Sequence, residues 1–120
     1  MEERGLLRER LEREQHYFRI AAQRTQPSAQ WLRRIRLGLG LKATKIAQEL
    51  GVNVSVIFRL EKSEEQKSIS VRALAKMAQT MGCELVYAIV PREGKTMAEM
   101  VEEQRWREKL LKQGTREQGN

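Results

Sequence analysis

The clearest binding chemistry in this 120-residue chain comes from basic side chains concentrated between residues 31 and 62. The block holds seven of them: Arg33, Arg34, Arg36, Lys42, Lys45, Arg59 and Lys62. Only Glu49 and Glu61 oppose them, so the block carries a net charge of +5 out of +7 for the whole chain. Guanidinium and ammonium groups at this density bind polyanions, which are nucleic acids or anionic membrane surfaces.

The chain has few residues of the types that catalysis or metal binding requires. Cys83 is the only cysteine, which excludes an internal disulfide and a cysteine-rich zinc site, and His16 is the only histidine. The sequence contains no glycine-rich phosphate loop or nucleophile elbow, so we expect no enzyme, no metal and no cofactor. The longest apolar run, residues 85–90, is far below the roughly 18 residues of a membrane span. The charge-dense N-terminus does not fit a signal peptide, so we expect a cytoplasmic protein.

Short helices must position the basic block. The first of them is predicted over residues 28–37, where Pro27 suits the first turn. Gly38 and Gly40 should end this helix, because glycine accepts the backbone conformation of a helix C-terminus at little cost.

The next two predicted helices form a pair joined by a tight turn. They cover residues 43–50 and 54–60, with Gly51 opening the turn and Asn53 capping the second helix. Ala47 is small, as it must be where the second helix crosses close above the first. Together these features match the helix-turn-helix pattern.

Periodicity and capping residues predict the remaining helices on both sides of this pair. They are an amphipathic helix over residues 2–24, a helix over residues 71–81 capped by Ser70, and a helix opened by a Thr96–Glu99 capping box and running to about Lys112. Residues 63–68 are predicted to form a polar loop, and residues 114–120 a frayed tail.

Residues 84–90 have a strand-like composition, and Pro91 ends the run. No second strand is predicted, so the backbone groups of this strand need a partner from another copy or from another protein. We therefore predict dimerisation through this segment, namely through Leu85, Val86, Tyr87, Ala88, Ile89 and Val90.

Three segments carry a resemblance to a known family: Trp31-Leu32-Arg33-Arg34-Ile35-Arg36, residues 46–52 and residues 59–64. They resemble the lambda-repressor-like (Xre-type) helix-turn-helix. Together with residues 82–92, the combination resembles the family known as mobile mystery protein A, over about residues 28–105. The resemblance implies a bacterial DNA-binding protein of mobile elements, typically encoded beside a Fic-domain protein called mobile mystery protein B.

The expected fold class is therefore all-α, with a lambda-repressor-like helix-turn-helix core, flanking N- and C-terminal helices and one C-terminal β-strand. We divide the chain into an N-terminal amphipathic helix (1–26), a helix-turn-helix DNA-binding domain (27–82), a strand for dimerisation (83–92), and a C-terminal helix and tail (93–120).

The resemblance also implies roles for individual residues. Arg36 and Glu61 stand where such repressors have a buried ion pair, which orients the DNA-reading helix and does not itself read bases. Bases should be read from the start and outward face of that helix, where Val54, Ser55 and Arg59 stand. Val54 suits a thymine methyl group, Ser55 a base or a phosphate, and Arg59 either a guanine or a phosphate.

Phosphate contacts are expected at the start of the preceding helix, from Lys42, Thr44 and Lys45. Arg33 and Arg34 either add backbone contacts or serve only solubility. Phe58 would be unusual as an exposed aromatic, so we expect it to pack against the loop over residues 63–69.

Two functions stay open. The first is a repressor of its own operon that binds double-stranded DNA as a homodimer. The alternative is an antitoxin that binds and inhibits a Fic-domain toxin directly. Fic antitoxins often carry an inhibitory helix with Ser or Thr, Glu four residues later, and then Gly or Asn. Thr80 and Glu84 have this spacing, but Leu85 follows.

Overall fold

In a computed structural model, which describes residues 2–24 and 30–118, all regular elements are helical. The α-helices are α1 (Glu2–Arg24), α2 (Trp31–Gly38), α3 (Ala43–Leu50), α4 (Val54–Glu65), α5 (Val71–Thr80) and α6 (Met97–Gln118), with a 3₁₀ turn at Arg92–Gly94. The expected all-α class is confirmed for these residues. None of their helices combines the length and apolar character needed to cross a bilayer.

The chain forms two compact units. One lies within Pro27–Tyr87 and contains α2 to α5, and the other lies within Met1–Gln26 and Ala88–Asn120 and contains α1 and α6.

One apolar core holds α2, α3, α4 and α5 together. Each helix contributes a side chain that is at most 2% exposed: Leu32, Ile46, Ile57 and Met77. Burying each of these is worth about 1.5–3 kcal/mol relative to leaving it in water. Ala47 is also buried, which is consistent with the small residue expected where α3 and α4 cross.

The turn between α3 and α4 has the predicted chemistry. Gly51 ends α3 with φ +70°, a left-handed conformation in which a Cβ would be strained. Asn53 caps α4 by accepting a 2.9 Å hydrogen bond from the Ser55 N–H. Ser70 caps α5 in the same way, accepting at 3.1 Å from the Ala73 N–H. These local features fix where α3 ends and where α4 and α5 begin.

Several helix ends differ from the predictions. α4 continues to Glu65, so the polar loop is shorter than expected, and α5 ends at Thr80. α6 continues to Gln118 through Gly114, because one helical glycine costs only about 1 kcal/mol. The predicted start of α2 at Pro27 and Ser28 lies outside the described residues, as do the last two residues of the predicted tail.

In the unit that contains α1 and α6, side chains of α1 make the long-range contacts. Glu12 accepts a 3.0 Å hydrogen bond from the Ala98 N–H in the first turn of α6. Thr96 accepts at 3.1 Å from the Glu99 N–H, as the capping box predicts. A carboxylate and a hydroxyl therefore both satisfy backbone donors at the start of α6.

The predicted β-strand is wrong for this chain. Residues 83–90 have no regular structure, and no β-ladder occurs among the described residues. A strand-like composition reflects how well side chains pack on a pleated sheet, and this chain supplies no described neighbour on which to build one. Instead, the carbonyl of Ile89 accepts a 2.9 Å hydrogen bond from the Gln15 side chain.

Candidate nucleic-acid interface

Helix α4 has two distinct faces. Ser55, Phe58, Arg59 and Lys62 are exposed, and their i, i+3, i+4, i+7 spacing puts them on one side of the helix. The opposite side carries Ile57, Glu61 and Glu64, which are all buried. The exposed face is therefore free to contact a partner, while the buried face fixes the helix to the core.

The predicted base-reading residues differ in their exposure. Ser55 and Arg59 lie on the exposed face of α4. Val54 is half-buried and packs against the apolar core, so less of its side chain is available to a partner. Their contacts with bases stay predictions.

Arg36 of α2 and Glu61 of α4 are in direct contact. Arg36 donates from Nη2 at 2.8 Å and from Nε at 3.0 Å to Glu61 Oε1, and both residues are less than 10% exposed. Burying two charges is costly, and the bifurcated hydrogen bonding compensates for lost water. The pair therefore holds α2 against the C-terminal half of α4.

Glu64, to which the sequence reasoning gave no role, makes a second link between the same helices. Its carboxylate accepts from the backbone N–H of Trp31 at 3.1 Å and of Leu32 at 2.8 Å. These are the first two residues of α2, and Gln30 before them makes no side-chain capping bond. Glu64 thus acts as the cap of α2 from another helix, where a negative charge also suits the helix dipole.

A signal for Glu64 was present in the sequence. It follows Glu61 by three residues, so the two carboxylates lie on one face of a helix. A helix that begins at Trp31 has no Ser, Thr, Asp or Asn immediately before it, and must find a capping group elsewhere.

The start of α3 has the features expected of a phosphate-binding site. Lys42, Thr44 and Lys45 are exposed, and no side chain caps this helix N-terminus. Unsatisfied backbone N–H groups and the helix dipole attract anions at such a position. Arg33 and Arg34 of α2 are also exposed, and the Arg34 guanidinium lies 5.9 Å from the centre of the Trp31 ring.

The positive charge of residues 31–62 is on the surface. Arg36 and Glu61 neutralise each other inside the unit. The exposed cations are Arg33, Arg34, Lys42, Lys45, Arg59 and Lys62, and the exposed anion is Glu49. The net +5 of this block therefore faces solvent, where it attracts a polyanion and gives salt-dependent binding.

Phe58 is 53% exposed, contrary to the expectation that it would be covered by the following loop. The Arg36 guanidinium carbon lies 5.8 Å from the centre of its ring. The ring thus lies against the ion pair at the edge of the exposed face of α4.

The residues predicted to mediate dimerisation are mostly exposed. Val86, Tyr87, Ala88 and Ile89 are exposed, and Leu85 and Val90 are half-buried. Their role in dimerisation stays a prediction.

Comparison with known proteins gives one family match for this part of the chain. Residues 32–87 match the family model described as Helix-turn-helix. The searches of curated proteins and of solved structures gave no significant match. The matched residues contain α3 to α5 and α2 from Leu32 onward, including Arg36, Glu61 and both faces of α4. Residues 32–87 are therefore similar to the helix-turn-helix family, and this similarity supports a DNA-binding transcription regulator.

Proposed function

We propose that this protein binds specific DNA sequences and represses its own operon. The observation that carries the proposal is the exposed face of α4, bordered by exposed cations, within the segment that matches the helix-turn-helix family. Charge supplies affinity for any duplex, and side chains on the helix supply sequence preference.

In this proposal α4 enters the major groove as the recognition helix. Arg59 forms a bidentate contact with guanine, which is worth about 1–3 kcal/mol of discrimination, and Ser55 contacts a base or a phosphate. Lys42, Thr44 and Lys45 hold a phosphate at the start of α3. The ion pair of Arg36 with Glu61 sets the orientation of α4 and contacts no base.

We further propose that the protein binds a palindromic site as a homodimer. Support comes from residues 85–90, where Val86, Tyr87 and Ile89 are 70%, 72% and 87% exposed in the single chain. Contact of this segment with its copy would cover these side chains. The two recognition helices of such a dimer contact half-sites about 34–36 Å apart.

A titration against the DNA upstream of the protein's own gene, at several salt concentrations, tests this function. We expect sequence-specific binding that weakens steeply with salt. Arg59→Ala should lose the preference for this DNA over a scrambled duplex while keeping weak, salt-dependent binding. A wild-type protein that binds both duplexes equally would contradict the proposal.

Membership of the mobile mystery protein A family, and an antitoxin role beside a Fic-domain protein, are proposed from sequence resemblance. Direct inhibition through the Thr80 and Glu84 spacing has less support, because Thr80 is the last residue of α5 and Glu84 lies beyond the helix. Tight binding to the Fic-domain protein, by a preparation that shows no DNA affinity, would favour this alternative.

A further inference from the structure

Phe58 is a large apolar side chain on a face of α4 whose other exposed residues are polar or charged. Ser55, Arg59 and Lys62 share this face, and the Phe58 side chain is 53% exposed among them. A single exposed apolar residue is common in proteins and by itself indicates nothing. The groups around this ring distinguish it from such a residue.

The ring is held in position before any partner binds. The guanidinium of Arg36 lies 5.8 Å from the ring centre, within the range of a cation–π contact. Arg36 is in turn fixed by its hydrogen bonds of 2.8 and 3.0 Å to Glu61. A side chain that is already oriented loses little conformational freedom on binding, which favours its use as a contact residue.

Charged side chains border the exposed part of the ring, with cations in excess. Phe58 lines a groove of about 330 Å³, whose charged residues are Arg33, Arg36, Glu61, Lys62 and Glu65. Arg36 and Glu61 neutralise each other, so Arg33 and Lys62 outweigh Glu65, and the exposed Arg59 follows Phe58 in the chain. Such a rim attracts a polyanion more strongly than an apolar protein surface. In the major groove of DNA, the apolar group within reach of side chains is the C5-methyl group of thymine.

We infer that Phe58 packs on a thymine methyl group in the major groove and selects a T·A pair at one position of each half-site. The inference rests on the proposed function, since it requires α4 to lie in the major groove. It gives Phe58 the contact that the sequence alone suggested for Val54, whose side chain is half-buried against the core.

The test is a double-mutant cycle between the side chain and the methyl group. The probe is the duplex that wild-type protein selects from a randomised library, with each thymine of one half-site replaced in turn by deoxyuridine, which lacks the methyl. At one position, wild-type affinity should fall about fourfold, which corresponds to about 0.8 kcal/mol for a buried methyl group. Phe58→Ala should bind the two duplexes equally.

Two further variants make the result specific. Lys62→Ala removes another exposed side chain of the same face and should keep the fourfold methyl effect. Phe58→Gln keeps a long side chain beside Arg36, and it should lose the methyl effect while unfolding at the same urea concentration as the wild type. If Phe58→Ala is too unstable to assay, the methyl effect measured with Phe58→Gln tests the inference instead.

The outcomes separate the two proposals. A methyl effect that persists in both Phe58 variants, or is abolished equally by Lys62→Ala, overturns this inference alone. The same holds if the selected duplex shows no methyl effect at any thymine. A wild-type protein that selects no sequence overturns the inference together with the proposed function.

Discussion

Replacing Glu64 with alanine should lower the free energy of unfolding of the helix-turn-helix domain, because α2 loses its cap. The carboxylate accepts from the Leu32 N–H at 2.8 Å and from the Trp31 N–H at 3.1 Å. Leu32 is 2% exposed, so water cannot replace the first of these bonds. An unsatisfied buried donor costs about 1–3 kcal/mol, and a lost negative charge at a helix N-terminus about 0.3–1 kcal/mol more. We therefore expect a loss of about 2–3 kcal/mol.

The measurement is urea unfolding followed by tryptophan fluorescence. The chain has two tryptophans, and in a Trp106→Phe background only Trp31, the first residue of α2, reports. Glu65→Ala is the matched control, since it removes the same charge from an exposed neighbour and should change stability by less than about 0.5 kcal/mol. Glu64→Gln keeps one acceptor oxygen and should lie between the two.

Two results would refute this reasoning. If the free energy of unfolding of Glu64→Ala lies within about 0.5 kcal/mol of its parent's, the carboxylate does not cap α2. Equal losses in Glu64→Ala and Glu65→Ala would show that net charge, and not the two hydrogen bonds, sets the stability.

Three other predictions concern the same domain. Arg36→Ala leaves a buried carboxylate without its cation and should cost roughly 3–5 kcal/mol in urea melts, and a loss below about 1 kcal/mol would exclude a stabilising pair. Lys42→Ala and Lys45→Ala should each reduce the slope of log affinity against log salt by about 1, without changing the preferred sequence, and an unchanged slope would rule out the phosphate contact. Gly51→Ala should cost about 1–2 kcal/mol because φ is +70° there, whereas Gly38→Ala, in the helical conformation, should not destabilise; equal effects would contradict the conformational argument.

Local chemistry could be predicted from the sequence because its causes are local. Asn53 and Ser70 each bond to a backbone N–H two or three residues away, so the capping rules that identify them need no knowledge of the fold. The turn at Gly51 follows from the same short-range logic. The contact of Arg36 with Glu61 was anticipated from family resemblance, since spacing alone could not pair residues on different helices.

Non-local contacts could not be predicted in this way. Glu64 lies 32 residues from Leu32 in the chain, and only the packing of α4 against α2 brings them together. The contact of Phe58 with Arg36 depends likewise on the packing of α4 against α2. The prediction of a strand at residues 84–90 was wrong for a related reason. Strand propensity describes how well a side chain fits a sheet, and it does not supply the neighbouring strand.

The two faces of α4 use different residues, so the residues that hold the helix in the fold are separate from those that face a partner. Ile57, Glu61 and Glu64 maintain the architecture, while Ser55, Phe58, Arg59 and Lys62 project away from it. Exchanging the exposed residues leaves the core and both carboxylate links in place, and surface substitutions of this kind usually change stability by less than about 0.5 kcal/mol. If α4 reads DNA as proposed, substitutions on this face can change the preferred sequence in a few steps while the domain stays folded.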